Sequence, residues 1–231
     1  MYFRQMNNNE IQILGIQFLE LGTIISDTLM GLVALIFFRK LKKHTKYKYN
    51  KFFSFFFLFF GISSLIAAWA HGLFLYFDIY LHIIAWILSG ISFYFLQLAS
   101  ASLVINAKFK LKYLIFIKVQ LLLYLIFLFL FPSFLIVKIN FAIALLVSII
   151  PVFFMDYLKN NQKYNLFVIF GILLVIIPGL FHKLDFKFAY IFNMNDLSHF
   201  VLIICTYFLY LGLKYRFFEQ KELSKETKVV V

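Results

Sequence analysis

Long apolar stretches alternate with short polar ones along the whole chain. Seven of them are long enough to cross a hydrocarbon core, which takes about 20 helical residues. They are approximately 11–38, 52–76, 79–105, 113–131, 134–157, 165–182 and 196–214. Only Pro132 and Ser133 separate the fourth from the fifth. Proline disfavours helix continuation, and one span of their joint length would far exceed a bilayer, so the pattern predicts a tight hairpin there. The expected fold is all-α: a polytopic membrane protein with a single seven-helix transmembrane bundle over residues 1–218. A charged, frayed tail is expected over 219–231.

The polar connections sort by charge. The first, from Arg39 to Lys51, is strongly basic, and the third carries Lys108, Lys110 and Lys112. The fifth carries Lys159 and Lys163, and the C-terminal segment carries Lys214, Arg216, Lys221, Lys225 and Lys228. The second and fourth have neither Lys nor Arg; the sixth, with Lys183 and Lys187, breaks the alternation. Lys and Arg concentrate in cytoplasmic loops. The chain is therefore expected to place its N-terminus outside and its C-terminus in the cytoplasm, which requires an odd number of crossings. Compact loops suggest a bacterial inner membrane.

Composition strengthens this picture and removes one class of partner. Of the 231 residues, 64% are hydrophobic and 14% charged, against about 25% charged in soluble domains. Too few polar side chains remain to make a watery surface. The net charge of +12 lies between the apolar runs, facing anionic headgroups, so membrane lipids are the expected partners and nucleic acid is not. Cys205 is the single cysteine, so no intramolecular disulfide forms. The opening MYFRQMNNNEIQ lacks the basic-then-apolar pattern of a signal peptide, and the first run is expected as a retained helix.

Ionisable groups inside spans are costly and face bundle interiors or water-filled cavities, so function is sought there. Glu20 and Asp27 stand seven residues apart on the first helix, and Ser64 and His71 on the second. Asp78 and His82 open the third; Asp196 and His199 open the seventh at i, i+3 spacing. Counted at about 1.5 Å per residue, Glu20, His71, His82, Asp196 and His199 share the outer third of the bilayer. Asp27 lies about 10 Å deeper than Glu20 on the same face. His182 reaches the outer rim, and His44 lies in the basic loop.

Imidazole and carboxylate ligate zinc, and a catalytic zinc keeps three protein ligands and one water. His71, His82 and His199 are the candidate ligands. Asp196 and Asp78 are candidate orienting or general-base carboxylates, and Ser64 is a candidate donor to the water or an oxyanion. Glu20 and Asp27 line the candidate pocket. The plainer alternatives are single histidines bonding across helices and Asn195 with Asp196 capping helix seven.

This layout resembles the superfamily of alkaline ceramidases and progestin/adiponectin-type receptors. The resemblance lies in seven helices, a His near the outer end of helix two, an Asp/His pair opening helix three and a His on helix seven. It implies hydrolysis of a lipid amide by zinc held on three histidines. That superfamily places Ser four residues before the helix-two His and a His-x3-His pair on helix seven; here Ala67 and Ile203 stand at those positions. Phe192 to Tyr210 also resembles the last helix of uncharacterised bacterial membrane proteins with an Asn-Asp-Leu-x-His motif, which implies no activity.

Three functions are therefore expected in order: a metal-dependent hydrolase of lipid amides or esters, a non-enzymatic receptor, sensor or assembly subunit, and a transporter. The transporter lacks sequence repeats or broken helices, and no ionisable path continues into the inner half. Haem held by two histidines is a fourth possibility. A retinal protein is disfavoured because helix seven has no lysine before Lys214.

Overall fold

The computed structural model describes residues 11–43, 48–181 and 194–229. Six helices among them are long and apolar enough to cross a membrane, and together they make an all-α membrane bundle. The first, α1 (Leu21–Lys42), follows Glu20, whose left-handed backbone (φ 49°, ψ 54°) turns the chain into the helix. It ends on Arg39, Lys40 and Lys42, cations that suit a helix C-terminus. The chain returns through α2 (Lys48–Gly72), makes one turn as α3 (Phe74–Phe77) and runs back as α4 (Tyr80–Ala101). Helices α1, α2 and α4 are the most closely packed part of the bundle.

Next comes α5 (Ala107–Leu130), capped by the Asn106 side chain, which accepts from the Phe109 N–H at 3.0 Å. Its first turns contain Lys108, Lys110 and Lys112. The chain reverses at Pro132–Ser133, where the Ser133 hydroxyl caps α6 (Phe134–Ala142) by accepting from the Leu135 N–H at 3.2 Å. A π-helical segment, Ile143–Ile149, joins α6 to α7 (Ile150–Asn160) as one rod long enough to span. Helices α8 (Tyr164–Leu174), α9 (Ile176–Phe181) and α10 (Met194–Val229) complete the chain.

Three elements differ from the sequence reading. Residues 11–18, expected as the start of helix one, form an antiparallel hairpin of β1 (Ile11–Ile13) and β2 (Ile16–Phe18). Their alternation of Ile and Gln has the period of a strand, not a helix. The sixth run is split at Val175 into α8 and α9. Pro178 supplies no N–H to the Leu174 carbonyl, which is where an α-helix loosens. The tail is helical to Val229 instead of frayed; its Lys, Glu and Gln are strong helix formers. His44 and His182 lie outside the described residues.

The largest apolar core gathers Phe53, Phe57, Leu96, Ile149, Phe153 and Leu213 from α2, α4, the α6–α7 rod and α10. Neutral polar side chains cross it. Gln97 Nε2 donates to Gln120 Oε1 at 2.8 Å and to Ser148 Oγ at 3.0 Å. Gln120 Nε2 in turn donates to Asn140 Oδ1 at 2.9 Å, and the Tyr113 hydroxyl bonds Ser148 Oγ at 2.6 Å and Ser100 Oγ at 2.8 Å. The two ends of the bundle differ sharply. One holds the basic residues, and there Arg216 pairs with Asp156 at 3.3 Å between the rings of Tyr49 and Tyr164. The other holds Glu20, Asp27, Asp78 and Asp196 together with His71, His82 and His199.

Candidate functional site

At that second end, α1, α2, α4 and α10 bring their polar positions together. The heptad spacing of Glu20 and Asp27 gives α1 one polar face, and Thr23 and Ser26 lie on it between them. His71 ends α2, His82 begins α4, and Asp196 and His199 begin α10. The cluster thus forms because each helix carries its polar residues at the same end of an antiparallel bundle.

Two carboxylate–imidazole contacts organise it. Glu20 Oε2 lies 2.9 Å from His71 Nδ1, and Asp27 Oδ1 lies 3.6 Å from His199 Nε2. The other nitrogen of His199, Nδ1, is 2.9 Å from Ser26 Oγ. Asp196 Oδ1 accepts from the Thr23 hydroxyl at 2.8 Å and from the Ser26 hydroxyl at 3.4 Å. His82 packs edge-on against His71, with ring centroids 4.8 Å apart, and touches Phe74 and Trp86 on its other sides. Glu20, Thr23, Ser26 and Asp27 share one face of α1, and through Thr23 and Ser26 that face also meets Asp196 and His199, so the two pairs belong to one centre.

Exposure grades through the centre. The Glu20 and His71 side chains are 41% and 25% exposed, whereas Asp27 and Asp196 are sealed at 2% and 0%. Glu20, just ahead of α1, feels opposing effects. Burial raises its carboxyl and contact with His71 lowers it, and the second prevails, leaving it below its ordinary value of 4.5. A lowered acid contributes stability above its ordinary range and loses it as the pH falls through the folded-state value. The carboxylate side of the His71 contact is therefore lost as the pH falls through that lowered value.

Three side-chain atoms here are buried without a well-directed hydrogen-bond partner: Glu20 Oε2, Asp27 Oδ2 and His82 Nδ1. The 2.9 Å approach of His71 to Glu20 Oε2 is close but poorly aligned. Carboxylate oxygen and imidazole nitrogen are the donors that divalent zinc takes, so the chemistry of the orphaned atoms suits a metal. Among the described residues, however, no three His, Cys, Asp or Glu side chains are placed to hold an ion as they stand. His71 and His199 are turned onto carboxylates instead.

Ser64 and Asp78 occupy other surroundings than those expected from the sequence. The Ser64 hydroxyl donates to the Phe60 carbonyl of its own helix at 3.0 Å, the usual recourse of a serine inside an apolar helix. Asp78 is an exposed turn residue with φ 48°, and it stands beside the ring of His82. Thr23 and Ser26, which sequence reasoning passed over, provide hydroxyls in the cluster. Their signal was present: they fall at i+3 and i+6 from Glu20, on the face that Asp27 completes.

Residues 22–216 match the family of unknown function DUF6962, and the chain belongs to that family. No curated protein and no solved structure matches it.

Proposed function

We propose that this DUF6962 chain is a membrane-embedded, metal-dependent hydrolase of lipid amides or esters, with its centre at the carboxylate–histidine end of the bundle. The observation that carries the reading is the gathering of three carboxylates and three histidines from the ends of four helices, with Asp27 Oδ2 and His82 Nδ1 buried without a hydrogen-bond partner. His71, His82 and His199 would hold the metal. When bound, the ion supplies a water acidified toward neutral pH and a Lewis acid for the carbonyl.

The remaining roles follow from contacts of the chain itself. Asp27 Oδ2, sealed and unpartnered, is the proton acceptor, and Asp27 Oδ1 orients the His199 ring. The Thr23 and Ser26 hydroxyls hold Asp196, which adds negative charge behind His199. Asp27 thereby takes the role first expected of Asp78. Glu20, at the partly exposed mouth, steadies His71. The topology proposed with this reading counts the short apolar Tyr164–Pro178 helix as a seventh crossing. It puts the centre on the outer side and the basic end in the cytoplasm, in a bacterial inner membrane.

Metal content decides the matter. Elemental mass spectrometry of detergent-purified protein is expected to find about one zinc per chain, the stoichiometry of a three-ligand catalytic site. The zinc should disappear in His71→Ala and His199→Ala while helicity persists. Asp27→Asn should weaken metal affinity about 10–100-fold, as loss of an orienting carboxylate does. A folded wild type free of metal would sink the hydrolase. It would favour the second reading, a non-enzymatic receptor or assembly subunit, whose support is that two imidazoles already have carboxylate partners.

A further inference from the structure

We propose that the Ile11–Phe18 hairpin is a lipid-inserting anchor that lies in the membrane interface beside the mouth of the Glu20–His71 pair. The inference is independent of any reaction at the centre. Its basis is the register: Ile11 faces Phe18, Gln12 faces Gln17 and Ile13 faces Ile16. Side chains alternate across a strand, so one face of the hairpin is Ile11, Ile13, Ile16 and Phe18, and the other is Gln12 and Gln17. Leu14 and Gly15 close it with φ of 52° and 82°, the paired positive values of a tight type I′ turn. Leucine is an unusual choice for that turn, and here it stands 99% exposed at the tip. No charged residue occurs from Ile11 to Phe18.

Among the described residues, the second strand and the residue after it fix the hairpin to the bundle. The Leu19 N–H donates to the Gly72 carbonyl at 2.9 Å, and the Gln17 N–H donates to the Tyr76 hydroxyl oxygen at 2.9 Å. After this docking Ile11, Ile13 and Ile16 remain between 39% and 50% exposed. The same end of the bundle presents Trp69, Tyr76 and Tyr80 outward, and exposed Trp and Tyr rings favour the headgroup level of a bilayer. The apolar face of the hairpin therefore continues a lipid-facing surface. Its depth is set by its backbone. Outward N–H and C=O groups of a two-stranded hairpin need partners that hydrocarbon does not supply. The hairpin settles where water still reaches those groups and lipid takes the isoleucines and Leu14. Glu20 follows two residues after the second strand, so the anchor also holds the carboxylate over His71.

The test places one environment-sensitive fluorophore at Leu14→Cys in the full chain, with Cys205→Ser removing the native thiol, in phosphatidylcholine nanodiscs. Insertion predicts blue-shifted emission, with quenching by a nitroxide near the top of the acyl chain several times stronger than quenching by aqueous iodide. Gln12→Cys, on the polar face, should give the opposite ranking. A Leu14 probe quenched by iodide and not by nitroxide would overturn the anchor. A probe shielded from both would also overturn it, because protein, such as a second copy of the chain, would then cover the tip.

Discussion

Replacing Arg216 with leucine is expected to destabilise the bundle by about 3–5 kcal/mol, the usual cost of breaking a buried ion pair from one side. The Arg216 and Asp156 side chains are only 13% and 9% exposed, with 3.3 Å between Nη1 and Oδ2. Asn160 and Asn165 each donate an amide N–H to the same carboxylate at 2.8 Å, so Asp156 is tightly held but carries a charge those amides cannot cancel. The guanidinium is itself stacked, 4.4 Å from the Tyr49 ring centroid and 5.2 Å from that of Tyr164. One side chain thereby ties α2, α7, α8 and α10 together at the basic end. Lysine would keep the charge and lose the planar stack, so Arg216→Lys should fall between leucine and wild type. Adding Asp156→Asn to Arg216→Leu should recover part of the loss, giving a coupling of about 0.5–3 kcal/mol. The measurement is the thermal midpoint in detergent, and an Arg216→Leu midpoint equal to wild type would refute the interlock.

The second large effect belongs to the α1–α2 crossing. A Cβ on Gly31 would lie 2.8 Å from Leu65 Cγ and 2.9 Å from the Gly61 carbonyl oxygen. On Gly61 it would meet Leu35 Cγ at 2.9 Å and the Gly31 carbonyl oxygen at 3.0 Å. A leucine can rotate away, but a helical carbonyl cannot, so even alanine forces the helices apart. Overpacking of this kind costs about 1–3 kcal/mol. Glu20 and His71 ride on these same two helices, and their 2.9 Å contact loosens as the axes separate. Gly31→Ala should therefore lower the thermal midpoint and, if the centre holds zinc, lower the metal content with it. Gly31→Ala and Gly61→Ala together should cost less than their sum, because the first already opens the gap. Unchanged midpoint and metal content in Gly31→Ala would mean that the helices do not meet through these glycines.

Spanning helices were legible in the sequence because length and hydropathy alone decide them. What those quantities cannot sense is period. Ile11 to Phe18 is apolar enough to extend a helix, yet its Ile–Gln alternation and Leu14–Gly15 turn make a hairpin. The candidate site was legible in its ionisable members, since a carboxylate or histidine in an apolar run stands out wherever it lies. Hydroxyls do not stand out. Thr23 and Ser26 join the cluster while Ser64, equally well spaced from His71, bonds its own helix. Spacing gives the face of a helix but not which neighbour fills the space beside it. The amides escaped for a related reason: Gln97, Gln120 and Asn140 look dispersed along the chain and meet only once the helices pack.

The wide π-helical turn between α6 and α7 keeps the two halves of that rod in phase with different neighbours. Asn140 and Ser148 are eight positions apart, which in a plain α-helix sets them about 80° out of line. A turn bonded i→i+5 absorbs one extra residue, and both side chains then serve the one amide network. The segment is thus a built-in insertion, and its removal can be reasoned through. Deleting one residue from Ile143–Ile149 would leave a regular helix with everything beyond it in nearly its present phase, because Asn140 and Ser148 would then stand seven positions apart, about 20° from alignment. Phe153 would keep its place in the aromatic core and Asp156 its contact with Arg216. Forcing the same residues into a plain α-helix without the deletion is what would turn the second half of the rod away from these partners.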